Sequence, residues 1–283
     1  MEKFVFCCPR GGWNDILCQV ALCIKYAESK NRALIIDTTV YSGISDSLEN
    51  YFTLKEGNPR IFLSPSPELS ALLKSDNNFT NFYNKYFKEI VRIDFSRDYD
   101  DRILVHSAAG GGSSSRECFN FFKLSNAVSA YIKIKIEEIG SPYHAVMIRN
   151  TDYKTDYISL FETIKKDLGS NTLLISSDDL ECVNFGRAYF FRNKVVNFSN
   201  LPSHNSGKPL LLGHYKHSID QKILNLDALT DLFLSASANK LYPSYIKSLN
   251  GEHLKPGMQS GFQKLAIYLH ENRALLNSVT NLN

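Results

Sequence analysis

Residues 4–37 read FVFCCPRGGWNDILCQVALCIKYAESKNRALIID. Phe4–Cys8 is short and wholly apolar, and Pro9 ends it, which predicts a buried strand. Arg10-Gly11-Gly12-Trp13-Asn14 then predicts a tight glycine loop. Ile16, Leu17, Val20, Ala21, Ile24 and Ala27 recur at helical spacing up to about Lys30. Ala33–Asp37 reads as a second buried strand that ends in a carboxylate. Strand, glycine loop, helix and strand make a βαβ unit, the building block of a parallel sheet.

The chain beyond this unit repeats the alternation. Strands are expected at Arg60–Leu63 and Arg102–Ser107, and helices at Pro67–Lys74, Phe79–Val91 and Ser125–Ile139. Ala108–Ser115 (AAGGGSSS) is either a flexible surface loop or a loop facing a ligand. Gly140-Ser141-Pro142 punctuates the chain, so the boundary between halves is placed there, giving residues 1–140 and 141–283. The second half carries strands at His144–Arg149, Thr172–Ser176, Val195–Phe198 and Lys240–Tyr242. Helices are expected at Asp156–Leu168, Leu180–Tyr189, Leu226–Ala236 and Ser260–Asn272, with loops at Asn200–Lys216 and Asn250–Gln259. This alternation predicts an α/β fold of two Rossmann-type parallel-sheet halves facing a cleft. Ligands of such sheets bind beyond the carboxyl ends of the strands.

Composition narrows the function classes. A chain of 283 residues, 43% hydrophobic and 22% charged, is long enough to build a sizeable core. The formal net charge of +3 comes without a dense Lys/Arg block, so nucleic acid is not expected as a partner. A mildly basic balance suits an anionic small ligand, or loose association with an acidic lipid surface. The six cysteines form no CxxC pair and have no His at metal-ligand spacing, which points to buried free thiols rather than a disulfide framework or a metal site. Phe4–Cys8 is too short for a signal peptide or a membrane span, so a cytoplasmic protein is expected, with the inner membrane face as its possible resting surface.

Four segments at strand ends or helix starts carry the polar residues that chemistry needs. In Arg10-Gly11-Gly12-Trp13-Asn14-Asp15, glycines let backbone approach a phosphate and the next helix aims its N-terminus at the anion. A tight turn with Asn14 as N-cap is the plainer reading. In Met147-Ile148-Arg149-Asn150-Thr151-Asp152-Tyr153, an Arg at the end of a buried strand must be paired or ligand-bound. Its planar fork suits a diphosphate, and Asp152 can orient it. Ser176-Ser177-Asp178-Asp179 can read a base or ribose, or can cap the helix from Leu180 through Ser177 or Asp178. Ser260-Gly261-Phe262-Gln263 is another helix start that can bind an anion or simply cap.

In order and spacing these segments resemble the fucosyltransferase-like glycosyltransferases of GT-B fold, which include bacterial α1,2- and α1,6-fucosyltransferases and protein O-fucosyltransferases. GGWNDILCQVALCIKYAESKNRALIID is similar to their first unit, VMIRNTDY to their H-x-R-R-[TG]-D-Y strand end, and LLISSDD to their [ST]-D-D strand. LDALTDLFLSASANKL with SGFQKLAIYL is similar to their closing elements. The resemblance spans both ends and most of the second half, and residues 40–140 carry none of it. Met147 stands where the family often has His, Asn150 where a second Arg is common, Gln263 where Ser is usual, and Trp13-Asn14-Asp15 in place of Gly-Asn-Gln.

The resemblance implies a metal-independent, cofactor-free, inverting transfer of a sugar, fucose first, from a nucleotide-sugar donor to a glycan or lipid-linked oligosaccharide acceptor in bacterial surface polysaccharide synthesis. Donor-side residues carried over are Arg149 at the diphosphate with Asp152 beside it, Asn14 with Gly11 and Gly12 in the glycine loop, Ser177, Asp178 and Asp179 near base and ribose, and Ser260, Gly261 and Phe262 at a phosphate. It places the acceptor on the first half and the donor on the second. Asp15, beside the glycine loop, is the candidate general base, or else an exposed first-turn carboxylate. A UDP-hexose donor and a non-catalytic nucleotide-sugar binder stand as alternatives. An NAD-type oxidoreductase is disfavoured because the first loop lacks GxGxxG.

Overall fold

The computed structural model describes residues 2–40, 42–67, 71, 90–140, 142–203, 210, 219–249, 252–253 and 257–281. The expected helices over Pro67–Lys74 and Phe79–Val91 fall almost entirely outside these residues. The chain divides into two compact units, Met1–Ser125 and Asn126–Asn283.

In the first unit, β1 (Phe4–Cys7), α1 (Trp13–Ser29) and β2 (Ala33–Ile36) form the βαβ start, followed by β3 (Phe52–Leu54), β4 (Ile61–Phe62), β5 (Ile103–His106) and β6 (Phe122–Leu124). The main sheet runs β4-β2-β1-β5 with every pairing parallel. β1 and β2 are buried along their whole length, which is why their sequences show no polar alternation. Each fully buried Leu, Ile or Phe in them contributes about 1.5–3 kcal/mol of burial free energy. α1 opens at Gly12, whose side chain cannot cap it, and Trp13 is its first residue. The Trp13 indole is 1% exposed and packs edge-on against Tyr51 and Phe52, so hydrophobic anchoring replaces a cap. Asn14 is therefore a buried residue of the first turn and not the N-cap. β3 and β6 pair antiparallel in a small separate ladder.

In the second unit, the helix α2 (Asn126–Ile139) precedes β7 (Tyr143–Ile148) and β8 (Tyr153–Thr155). Next come α3 (Tyr157–Leu168), β9 (Thr172–Ser177), α4 (Leu180–Tyr189), β10 (Val195–Val196) and α5 (Gln221–Ser237). The chain closes with β11 (Lys240–Pro243), β12 (Ile246–Leu249), β13 (Glu252–His253), α6 (Gly261–Glu271) and α7 (Arg273–Thr280). α2 packs on α5 and so belongs here, although the punctuation after it had suggested a boundary at 140. The main sheet is β10-β9-β7-β11, again all parallel. Val146, Ile148, Phe161, Ile164, Leu173, Ile175 and Val183 share its core. Gly186 lets α4 lie close to the sheet: a Cβ there would sit 2.3 Å from Ile175 Cδ1. β8, β12 and β13 form an antiparallel sheet; β13 falls in the expected loop Asn250–Gln259, and β8 and β12 fall in stretches to which the sequence assigned no element.

The two main sheets share one strand order. Numbering the strands of each by chain position gives 3-2-1-4, so the winding reverses between β1 and β5 in the first unit and between β7 and β11 in the second. Such a reversal opens a crevice at the carboxyl ends of the two strands.

Candidate functional site

At the reversal of the first unit, the chain leaving β1 meets the chain leaving β5. Arg10 N donates to Ala108 O at 2.8 Å, and the Arg10 guanidinium to Ser107 Oγ at 3.0 Å. Gly11 has φ +97°, a conformation open chiefly to glycine. The Asp15 carboxylate lies between two glycine backbones. A Cβ on Gly11 would come within 2.6 Å of its Oδ2, and one on Gly111 within 2.5 Å of its Oδ1. Asp15 is half-buried rather than fully exposed. Asn14 clasps the second loop: its Nδ2 donates to Gly112 O at 3.4 Å, and its Oδ1 accepts from Ser115 Oγ at 2.7 Å. Ala108–Ser115 is thus fastened to the helix that follows the first glycine loop. This crevice gathers backbone amides at the start of α1 and one carboxylate.

At the reversal of the second unit, Arg149 follows β7 directly. Its Nη2 lies 2.8 Å from Asp152 Oδ1 and its Nε lies 3.1 Å from Asp178 Oδ2. Burial opposes the guanidinium charge, but Asp178 and Asp152 raise its pKa, so Arg149 stays charged. Burial raises the Asp178 carboxyl, with Arg149, the Asn150 N–H and the Thr151 hydroxyl working against that rise. The guanidinium also lies over the Tyr153 ring, 5.4 Å from its centroid. These ion pairs use Nε and Nη2 and leave Nη1 outside them.

Asn150 explains one departure from the expected pattern. It is 8% exposed and donates through Nδ2 to Asp179 Oδ2 at 2.7 Å, while its Oδ1 accepts from Thr155 N at 3.1 Å. Its backbone N–H donates to Asp178 Oδ1 at 2.7 Å. It stitches β7, β8 and the start of α4 together. The N-cap of α4 is Asp179, whose Oδ1 accepts from Glu181 N, and not Ser177 or Asp178. Ser177 Oγ accepts from Asp179 N at 3.1 Å and is buried with it. Ser177 and Asp179 therefore spend these contacts inside the protein.

Gln263 explains a second departure. Ser260 and Gln263 form a reciprocal capping box at the start of α6. Gln263 Nε2 then donates to Met147 O at 2.9 Å and to Ser244 Oγ at 2.5 Å. Met147 belongs to β7 and Ser244 follows β11, so this side chain fixes the N-terminus of α6 at the reversal point. A serine could not span that distance. Ser260, Gly261 and Phe262 are half-buried at that terminus, where the first amides of a helix lack intrahelical partners.

The sequence reading passed over a further polar cluster on α5. Asp231 is 8% exposed; its Oδ2 accepts from Ser199 Oγ at 2.8 Å, and its Oδ1 has no hydrogen-bond partner among the described residues. Burial above all pushes its carboxyl up to about 8. Asp227, one turn earlier, accepts from Asn200 N and Nδ2. A pair of acids four apart in the apolar run Leu224–Leu234 was the available signal. All six cysteines are buried free thiols. Among the described residues no group of three or more His, Cys, Asp or Glu is placed to hold a metal, and no helix is long and apolar enough to cross a membrane.

No protein-family model matches the sequence, and no curated protein matches it. Solved structures do match. The NodZ α-1,6-fucosyltransferase soaked with GDP-fucose is 18% identical, with TM-score 0.56, over 95% of this chain and 93% of that one. The fucosyltransferase NodZ from Bradyrhizobium is 17% identical, with TM-score 0.54, over 95% and 94%. POFUT1 in complex with GDP is 11% identical, with TM-score 0.56, over 94% and 93%. At these identities the likeness is one of fold. The chain has the α/β fold of these fucosyltransferase structures over nearly its full length.

Proposed function

We propose that the protein is a glycosyltransferase that moves a sugar, fucose as the first candidate, from a nucleoside diphosphate sugar to a glycan acceptor. The observation that carries this reading is the Arg149 guanidinium, held at the sheet reversal of the second unit by Asp152 and Asp178. Its fold relatives include structures with GDP or GDP-fucose, which makes GDP-fucose the donor to try first.

In inverting transfer, negative charge grows on the leaving diphosphate while the anomeric carbon becomes oxocarbenium-like. Preorganised donors aimed at that charge lower the barrier. Arg149 and the α6 N-terminus at Ser260, Gly261 and Phe262 take this role. Asp152 and Asp178 together outnumber the guanidinium, so the helix amides carry a large share of the phosphate binding. Asp178 and Asp179, with Ser177, build the wall at the carboxyl end of β9. Asp15 takes the acceptor proton, and Gly11, Gly12 and Asn14 frame it. The reaction needs no metal or other cofactor. An acceptor in surface polysaccharide synthesis, glycan or lipid-linked, suits such an enzyme, working at the cytoplasmic membrane face.

A thermal-shift panel of GDP, GDP-fucose, UDP and UDP-hexoses, with and without EDTA, tests the reading on the parent and on Arg149→Ala. Stabilisation by GDP compounds in EDTA, lost in the variant, is the expected result. Stabilisation by UDP compounds alone replaces fucose with another hexose. No stabilisation by any compound overturns the assignment in favour of another ligand.

A further inference from the structure

The loop Ala108–Ser115 reaches Asp15 with four exposed residues, Gly110 to Ser113, and has no apolar anchor among them. Glycine-rich backbone loses more entropy on ordering than any other. Something must hold it. His106 ends β5 and is 1% exposed. Its Nδ1 accepts from Ile93 N at 3.2 Å, so the ring proton sits on Nε2, which contacts Gln19 Oε1 at 2.8 Å. That contact orients the Gln19 amide so that Nε2 donates to Gly110 O at 2.6 Å. Gly110 has φ +132°, a strained value for any other residue. Arg92 Nη2 donates to the neighbouring Ala109 O at 3.3 Å.

We infer that Gln19 and His106 are positioning residues: their hydrogen-bonded relay from Ile93 to Gly110 holds the second glycine loop as a wall against the Asp15 carboxylate. A neutral imidazole in one tautomer is required, because a protonated ring would point Nδ1–H at the Ile93 N–H. Burial, then Arg92, hold the ring neutral by lowering its pKa to about 4. Gly111 completes the wall, since a Cβ there would meet Asp15 Oδ1 at 2.5 Å and Asn14 Nδ2 at 2.9 Å. Asp15 thereby keeps one rotamer between Gly11 and Gly111. The inference rests on Asp15 as the base of the proposed transfer, but the relay itself is testable without that reading.

Four variants decide it: Gln19→Leu, His106→Leu, their double, and His106→Gln, which can keep a donor toward Gln19. Amide hydrogen exchange over residues 108–115 is followed alongside turnover of GDP-fucose. Gln19→Leu and His106→Leu are expected to speed exchange in that loop by roughly tenfold, with the double variant no faster than either single one. Turnover falls by roughly a hundredfold while KM for the donor stays within about a factor of two, and His106→Gln restores much of it. Gly111→Ala, at an exposed position, gives the same turnover loss without touching the relay, and serves if Gln19→Leu does not fold. Unchanged loop exchange in the single variants, or additive effects in the double, overturns the relay. Parental turnover in Gly111→Ala overturns the wall. If the parent turns over no sugar nucleotide, the proposed function falls while the exchange data still judge the relay.

Discussion

Replacing Asp231 with asparagine isolates one buried carboxyl and gives a change whose sign and size follow from the structure. In the folded protein burial, then Asp227 and Asp178, push this group to about 8, against the pull of the Ser199 and Ser176 hydroxyls. In the unfolded chain it titrates near 3.9. Between these values the folded state holds a proton that the unfolded state has released, so stability falls as pH rises through that window. About four pH units at about 1.4 kcal/mol each give on the order of 5 kcal/mol as the full loss. Asparagine keeps the size of the side chain and an oxygen for Ser199, yet has no charge to exclude. The variant should therefore match the parent near pH 3, exceed it by about 1.5 kcal/mol near pH 5 and exceed it by about 5 kcal/mol near pH 8. Asp227, also raised by burial, adds the same sign to both proteins and largely cancels in the comparison. Urea denaturation at unit steps of pH, on both proteins, reads the difference directly. A difference that stays constant from about pH 5 to about pH 8 would show that Asp231 is ionised in the fold and would refute the reasoning.

Arg149→Lys keeps the charge but loses the planar fork between Asp152 and Asp178, so donor turnover should drop by about a hundredfold or more in steady-state assays; near-parental turnover removes Arg149 from the site. Gln263→Leu leaves Met147 O, Ser244 Oγ and Ser260 N without this partner, and should cost about 3 kcal/mol in denaturant unfolding; a cost below about 1 kcal/mol means the α6 terminus is fixed by other contacts. Asn150→Arg puts a long cation at a position that is 8% exposed and whose side chain bonds Asp179 and Thr155, and should destabilise by about 3 kcal/mol or more; a variant that keeps the parental Tm shows that the asparagine is not structural.

The elements legible in the sequence were those whose signal is local. β1 and β2 read as unbroken apolar runs because both faces are covered, and α4 was bounded at Leu180–Tyr189 because turns flank it. The antiparallel sheet of β8, β12 and β13 was not legible: β8 pairs with β12 across roughly ninety residues, and strands this short show no period. The N-cap of α4 was misplaced by one residue or more because Ser177, Asp178 and Asp179 are all capable caps. Arg149 with Asp152 was legible as an ion pair at a strand end, and the pairing is there. Asp178 as its second partner was not, since the two lie on different strand ends joined only by the β7–β9 register. The glycines of Ala108–Ser115 announced a loop, but besides Asn14 it is held by Gln19, which contacts His106, and these two residues look like ordinary members of a helix and a strand.

The same strand order produces two crevices built in different ways. At the β1–β5 reversal Gly11 and Gly111 bring backbone to both sides of the Asp15 carboxylate, with the Arg10 guanidinium held nearby on Ser107 Oγ. At the β7–β11 reversal the walls are side chains: Arg149 is fixed by two acids, and Gln263 delivers a helix N-terminus. Glycine is demanded in the first case because backbone must come within contact distance of a carboxylate. Bulk is demanded in the second because a long amide must span two strand ends. A carboxylate held in one rotamer suits proton transfer, whereas a guanidinium beside a helix N-terminus suits an anion that gains charge. In the proposed transfer the carboxylate of the first unit and the guanidinium of the second have separate roles. Removing Asp15 or Arg149 should consequently leave different deficits. Loss of Asp15 should lower turnover while sparing nucleotide binding, and loss of Arg149 should weaken nucleotide binding itself.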